Sequence, residues 1–287
     1  MEKLVSYPFL HTVNKTQKIN YSTVKNRLAR KPHKLFQPHR IDFNAIYLFT
    51  GGHGVHTVDF KELEVKPGFI LFVTKGQVHH FDSAENYDGH SVIFTDDFFN
   101  ISDAHLQYFQ QSPLLGDPLK IPYFDVRENY GTLSSYFDNI RAELMQEPDR
   151  LQHDILNNCL HNIMLIAERT YSTTIQNEHL SQSRKLVAAF KQLANLHSHE
   201  QWNIKKYADE LHVHLRTLQY AFVNIEGKTP KQWLSELLIL QSKRYLTHDD
   251  PRVAEIAFKL GFKETTNFIK FFRKHVGKSP MEFKRGI

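Results

Sequence analysis

Histidine is the first residue type to weigh for chemistry. His39, His79, His80 and His90 fall among short apolar runs, with His53 and His56 ranking behind them. Imidazoles that converge with a carboxylate at one mouth of a β-barrel can hold zinc, iron or manganese, but such a site needs three or four ligands. The stretch "PHRID" supplies one histidine without a second two residues on, and no glutamate follows at suitable spacing. No metal and no cofactor is therefore expected. The plainer reading makes some of these histidines surface residues and others hydrogen-bonding groups in a pocket. His39, Arg40, Tyr47 and His80 are then the candidate contacts for a small molecule. Because side chains alternate along a strand, His79 and His80 face opposite ways and only one can point inward. No phosphate-binding glycine loop or nucleophile elbow stands out, so no catalytic residue is assigned and no enzyme activity is expected.

A second chemistry lies in "VAEIAFKLGFKETTNFIKFFRKHVGKSP", residues 253–280. It repeats "IKKYADELHVHLRTLQYAFVNIEGKTPKQW", residues 204–233. Ala208 matches Ala257 and Leu211 matches Leu260 at an offset of 49; after one added corner residue, Phe222 matches Phe272 and "GKTP" matches "GKSP" at 50. In each copy a small residue lets two helices cross closely. The second helix turns Leu218, Ala221 and Phe222, or Phe268, Phe271 and Phe272, inward. Gly227 and Gly277 suit a left-handed helix stop, and Thr229-Pro230 and Ser279-Pro280 suit a new helix start. This pattern predicts two helix-turn-helix units, 204–225 and 253–275.

The second helix of such a unit offers its exposed N-terminal face to the DNA major groove. In the first copy that face holds His214, Arg216, Gln219 and Tyr220; in the second it holds Thr265, Thr266, Ile269, Lys270 and Arg273. Arg216 suits guanine, Gln219 suits adenine, and Ile269 can meet a thymine methyl. Lys228 and Lys278 are candidate phosphate contacts. The plainer alternative makes Thr265 and Thr266 capping residues and packs Ile269 against a neighbouring element. The helix between the copies, roughly 230–246, would be about 25 Å long, enough to place two reading helices in successive major grooves about 34 Å apart. Charge agrees with this partner: 181–287 holds 19 Lys/Arg against 10 Asp/Glu, while 1–180 holds 17 against 21. A basic third on an acidic body suits a polyanion.

The chain is identified as a member of the AraC/XylS transcription regulators on "ADELHV", "LQYAF" and "GKTP" in the first unit and "AEIAFKLGFKETTNFIKFFRKHVGKSPMEFKR" in the second. The resemblance implies sequence-specific binding of double-stranded DNA through both units, activation as the usual outcome, and RNA polymerase as a partner. The first unit departs from the usual pattern at His214, Tyr220 and Val223, which leaves its half-site unpredictable.

Stepping N-terminally, "AIYLFT", "VHTVDF", "LEV", "FILFVT", "QVHHF" and "HSVIFT" read as short strands broken by "GGHG", "KPG" and "KG". They predict an antiparallel barrel or sandwich that resembles the cupin-like sensory half of the same family. Leu133, Phe137, Ile140 and Leu144, then Leu156, Leu160 and Ile163, predict a helical hairpin. The resemblance implies dimer contact there, and homodimerisation through these seven residues is expected over their burial within one chain. The expected architecture is multidomain: an all-β cupin-like barrel (1–127), the helical hairpin (128–172), a polar linker (173–182) and an all-α bipartite helix-turn-helix domain (183–287). No secretory signal or membrane-spanning run is evident, and the lone Cys159 fits a reducing cytoplasm. A small-molecule effector in the barrel completes the reading. Its rivals are a metal-dependent cupin enzyme with a DNA-binding appendage, and an effector-free regulator whose barrel binds a protein.

Overall fold

Apolar side chains on both faces of one sheet set the architecture of the N-terminal half. The computed structural model describes residues 5–9, 17–30, 35–82, 86–99, 105, 108–109, 112–171, 180–248 and 252–286. Its elements are β1 (Val5–Tyr7), β2 (Ile19–Thr23), α1 (Val24–Arg30), β3 (His39–Ile41), β4 (Asn44–Gly52), β5 (Gly54–Val58), β6 (Lys61–Val65), β7 (Phe69–Val73), β8 (Val78–Phe81), β9 (Tyr87–Phe94), the one-turn helix α2 (Asp96–Phe99), β10 (Tyr123–Asp125), α3 (Tyr130–Leu144) and α4 (Gln152–Tyr171). The strands form two five-stranded sheets, ordered β1-β3-β8-β5-β6 and β10-β7-β4-β9-β2. Pairing is antiparallel apart from β1 with β3. The barrel is an open one.

Alternation divides the second sheet between two cores. Ala45, Tyr47 and Phe49 of β4, Leu71 and Val73 of β7 and Ile93 of β9 join the interior cluster. Ile46, Leu48, Ile70, Phe72, Val92 and Phe94 turn the other way and pack with Leu133, Phe137 and Ile140 of α3 and Leu156, Leu160 and Ile163 of α4. Burial on both faces explains why "FILFV" reads as a continuous apolar run.

This packing corrects the dimer assignment. Leu133, Phe137, Ile140, Leu156, Leu160 and Ile163 are all fully buried within one chain, and Leu144 is partly buried against the same cluster. Exposing any one of the six would forfeit roughly 1.5–3 kcal/mol. Those stripes close the barrel's outer sheet and cannot also face a second copy. What the hairpin leaves exposed is a different set, including Leu151, Ile155 and Leu165.

The expected linker, 173–182, falls mostly on 172–179, outside the described residues. The C-terminal unit comprises α5 (Leu180–His197), α6 (Ile204–Glu210), α7 (Leu215–Glu226), α8 (Pro230–His248), α9 (Val253–Lys259), α10 (Thr265–Val276) and α11 (Pro280–Arg285), and it also takes in Gly116–Leu119. Two clusters hold it together. Phe190, Ala208, Leu218, Phe222 and Trp233 centre the first; Ile256, Ala257, Leu260, Phe268 and Phe272 centre the second. Lys191 is buried between Asp117 and Glu226, with Nζ 2.6 Å from a carboxylate oxygen of each. Among the described residues, no helix is long and apolar enough to cross a membrane.

Candidate functional site

Inside the N-terminal unit a cavity of about 150 Å³ opens between the sheets and α1. Thr23 caps α1, its Oγ1 accepting from the Asn26 N–H at 3.1 Å. Val24 and Leu28, one turn apart, anchor the helix in the barrel interior. That anchoring brings Arg27 and Arg30 onto the cavity wall, opposite His39 and Ile41 of β3, Tyr47 of β4 and His79 of β8. Phe43, Leu35 and Ile93 add apolar surface, and Asn20 and Ser22 add polar surface.

Of the four residues expected to contact a ligand, the structure brings His39 and Tyr47 to this wall. Arg40 and His80 are not on it. Arg40 lies between the buried His39 and Ile41 on β3 and takes the opposite side of the strand. On β8, His79 is buried and lines the cavity while His80 is half-buried, feeling Asp82 and Glu62. Alternation admits one of the pair, and the inward one is His79. His90 belongs to the other face of β9, held by the Tyr21 hydroxyl at 2.9 Å and by Ser134 Oγ at 3.0 Å.

Burial sets the protonation of the inner histidines. His39 Nδ1–H donates to the Gln37 carbonyl at 2.9 Å, and desolvation carries its pKa down to about 4. His79 Nδ1 lies 3.1 Å from His56 Nε2, and both rings are held well below the usual imidazole range, first by burial and then by the neighbouring His39. They are neutral at physiological pH. Among the described residues, no three His, Cys, Asp or Glu side chains stand together to hold a metal ion. Burial also raises the Tyr47 phenol and lowers the Arg27 guanidinium.

Sequence reasoning missed Arg27 and Arg30, because "VKNRLAR" reads as a short solvated helix. The only signal was Val24 and Leu28 at helical spacing, which implies that something is packed on one side.

In the C-terminal unit, the two repeats fold alike. Ala208 and Ala257 are fully buried where their helices cross neighbours. Gly227 and Gly277 end α7 and α10 with φ of 67° and 80°. Ser279 and Glu282 form a reciprocal capping box at α11, and Thr229 and Gln232 make the corresponding bonds at α8. The corners share one conformation: Gly261 has φ 80°, and His212, at the matching position, has φ 54°.

The expected reading faces lie on the surface. His214, Arg216, Gln219 and Tyr220 are exposed at the start of α7; Thr266, Lys270 and Arg273 are exposed on α10, with Thr265 and Ile269 partly so. Tyr220 is 68% exposed, which gives it no role in the core. Thr265 and Thr266 are not caps, since the N-cap of α10 is Glu264. Ile269 does touch the second cluster with part of its surface. Asn267 and Lys274, three and four residues from Lys270, share its exposed side. Helical spacing alone could have added them. Lys278 is exposed, whereas Lys228 pairs with Glu236 at 2.6 Å. α8 has 19 residues, about 28 Å of helix between the two reading helices.

Comparison with known proteins assigns both halves. Residues 27–163 match the model of an AraC-like ligand binding domain, and residues 207–286 match a helix-turn-helix domain. The HTH-type transcriptional activator RhaS of Enterobacter sp. (strain 638) is 24% identical over 261 residues, 90% of this chain and 90% of that protein. The DNA-binding domain of AdpA, solved in complex with a target DNA, is 30% identical and covers 35% of this chain and 90% of its own, with a TM-score of 0.33. ToxT from Vibrio cholerae strain SCE256, solved with an unsaturated fatty acid bound, is 13% identical over 93% of this chain and 94% of its own, with a TM-score of 0.42.

Proposed function

The chain belongs to the AraC-type transcription regulators, and from that premise we propose that it activates transcription in response to a small molecule held in the barrel cavity. The observation that carries the DNA half is the duplicated helix-turn-helix. Each copy buries Leu218 and Phe222, or Phe268 and Phe272, and turns Arg216 and Gln219, or Lys270 and Arg273, to the surface. Side chains of these types at a helix start match base edges in the major groove. Arg216, Gln219, Thr266 and Lys270 are the proposed base contacts, with Asn267 added. Lys278 is the proposed phosphate contact, and Lys228 reaches a phosphate only by leaving Glu236.

The cavity supports the sensory half: it is concave, partly apolar and lined by a few convergent polar groups. An effector acts by favouring one arrangement of the two reading units, so the ligand and the operator must strengthen each other's binding by the same factor. Activation is the reading favoured by the naming of the relatives as activators. Contact with RNA polymerase, cytoplasmic action and homodimerisation complete the proposal. The exposed Ile155 and Leu165 of α4 are the surface available for a second copy. A promoter fusion in cells with and without this chain tests the sign: expression that rises with the regulator supports activation, and expression that falls identifies a repressor.

A further inference from the structure

We infer that the cavity takes a small organic carboxylate whose charged end meets Arg27 and whose body is about the size of a benzene ring. The inference rests on the reading of the cavity as an effector site and names the class of molecule that fills it.

Three features point to an anion. Arg27 Nε and Nη2 are buried although the residue as a whole is partly exposed, and no protein group among the described residues accepts a hydrogen bond from either. A guanidinium is permanently charged and carries five donors, so burying it without an acceptor is costly. Next, the lining contains two arginines and no aspartate or glutamate; Arg30 follows Arg27 by one helical turn and repels it rather than neutralising it. Lastly, the remaining ionisable groups on the wall bring no negative charge. His39 and His79 are neutral, and burial keeps the Tyr7 and Tyr47 phenols protonated. A planar carboxylate offers two acceptors to one edge of a guanidinium, the geometry Arg recognises best.

The walls and the volume define the rest of the molecule. Leu35, Ile41, Phe43 and Ile93 present hydrocarbon, while Asn20 and Ser22 are the polar groups on β2. A cavity of about 150 Å³ is of the size that accepts one benzene ring in a protein interior. A compact acid with a six-carbon ring or chain fits these limits.

The test uses the full-length chain and two matched pairs, benzoate with benzamide and hexanoate with hexanamide, followed by thermal melting and calorimetric titration. Each acid is expected to stabilise the protein and its amide to leave it unchanged. Arg27→Gln should weaken acid binding about 10- to 100-fold, the range for losing a hydrogen bond to a charged group. The same variant should melt without ligand at or above the wild-type temperature, because it removes a buried charge that has no protein acceptor. Arg27→Gln protein that melts well below wild type identifies a structural arginine and overturns the inference. Amides that bind as well as acids, with Arg27→Gln responding like wild type, overturn it too while leaving the effector reading intact. If neither acid binds, the anion inference fails. The effector reading fails only if operator affinity is also unmoved by a panel of neutral sugars and alcohols.

Discussion

The corner of the second helix-turn-helix gives a sharp test of how the reading helices are held. Gly261 has φ 80°, and a Cβ there would lie 1.8 Å from the carbonyl oxygen of His199 and 2.7 Å from its carbon. That carbonyl sits in the 3₁₀ turn Ser198–Glu200, whose neighbour Gln201 donates from Nε2 to the Leu260 carbonyl at 2.6 Å. Gly261→Ala therefore meets two costs. A left-handed conformation costs an L-residue about 1–2 kcal/mol, and forcing apart a packed contact costs about 1–3 kcal/mol more. The sum, roughly 2–5 kcal/mol, is a large share of any domain's stability. Both tryptophans, Trp202 and Trp233, lie in the C-terminal unit, so their fluorescence during urea unfolding reports that unit alone. With a slope of about 1–3 kcal/mol per molar urea, Gly261→Ala should lower the midpoint by roughly 1 M or more. His212→Gly at the equivalent corner is the control. It removes the left-handed cost but loosens the unfolded chain by a similar amount, so its midpoint should move little. Equal midpoints for Gly261→Ala and wild type would refute the packing argument for the corner.

Two further outcomes follow from the buried charges. The inner histidines bind protons more weakly folded than unfolded, so they contribute full stability above the ordinary imidazole pKa of 6.5, and it is lost as pH falls from there toward about 4. The drop for His39 alone is worth roughly 3 kcal/mol, with His56 and His79 acting in the same direction. Calorimetry of the full chain at pH 7.5 and 5 should show the transition of the N-terminal unit moving down, and a transition that stays put would contradict this. Lys191→Met deprives Asp117 and Glu226 of the cation they share. It should destabilise the C-terminal unit by about 3–5 kcal/mol, measured by the same tryptophan signal; a change under about 1 kcal/mol would mean that water reaches the carboxylates.

The repeat was legible because its periodic signals are local and redundant. Ala208, Leu218, Phe222, Gly227 and Thr229 each had a counterpart about fifty residues on, and each states one physical requirement. The shared left-handed corner was half-hidden, since Gly261 announces it and His212 does not. In the barrel, alternation showed that His79 and His80 must part but not which one turned inward, because a one-residue shift inverts every side chain. The apolar stripes of α3 and α4 were visible, yet a stripe does not say whether a sheet or a second molecule covers it. Here β4, β7 and β9 supply the cover from their outer faces. Arg27 was the least legible of the residues that matter. Its role comes from Val24 and Leu28 pinning a seven-residue helix over the cavity; their helical spacing shows that one side is packed but not that the cavity lies beneath it.

The central claim, that two helix-turn-helix units read one stretch of DNA together, is tested most directly by selecting sites for the full-length chain from random duplex DNA. The account predicts enrichment of two conserved blocks centred about 10–10.5 base pairs apart. Arg216→Ala should blur one block and Lys270→Ala the other, each at a cost of about 1–3 kcal/mol on the selected site. A single enriched block indifferent to either substitution, or no enrichment above bulk DNA, would contradict it.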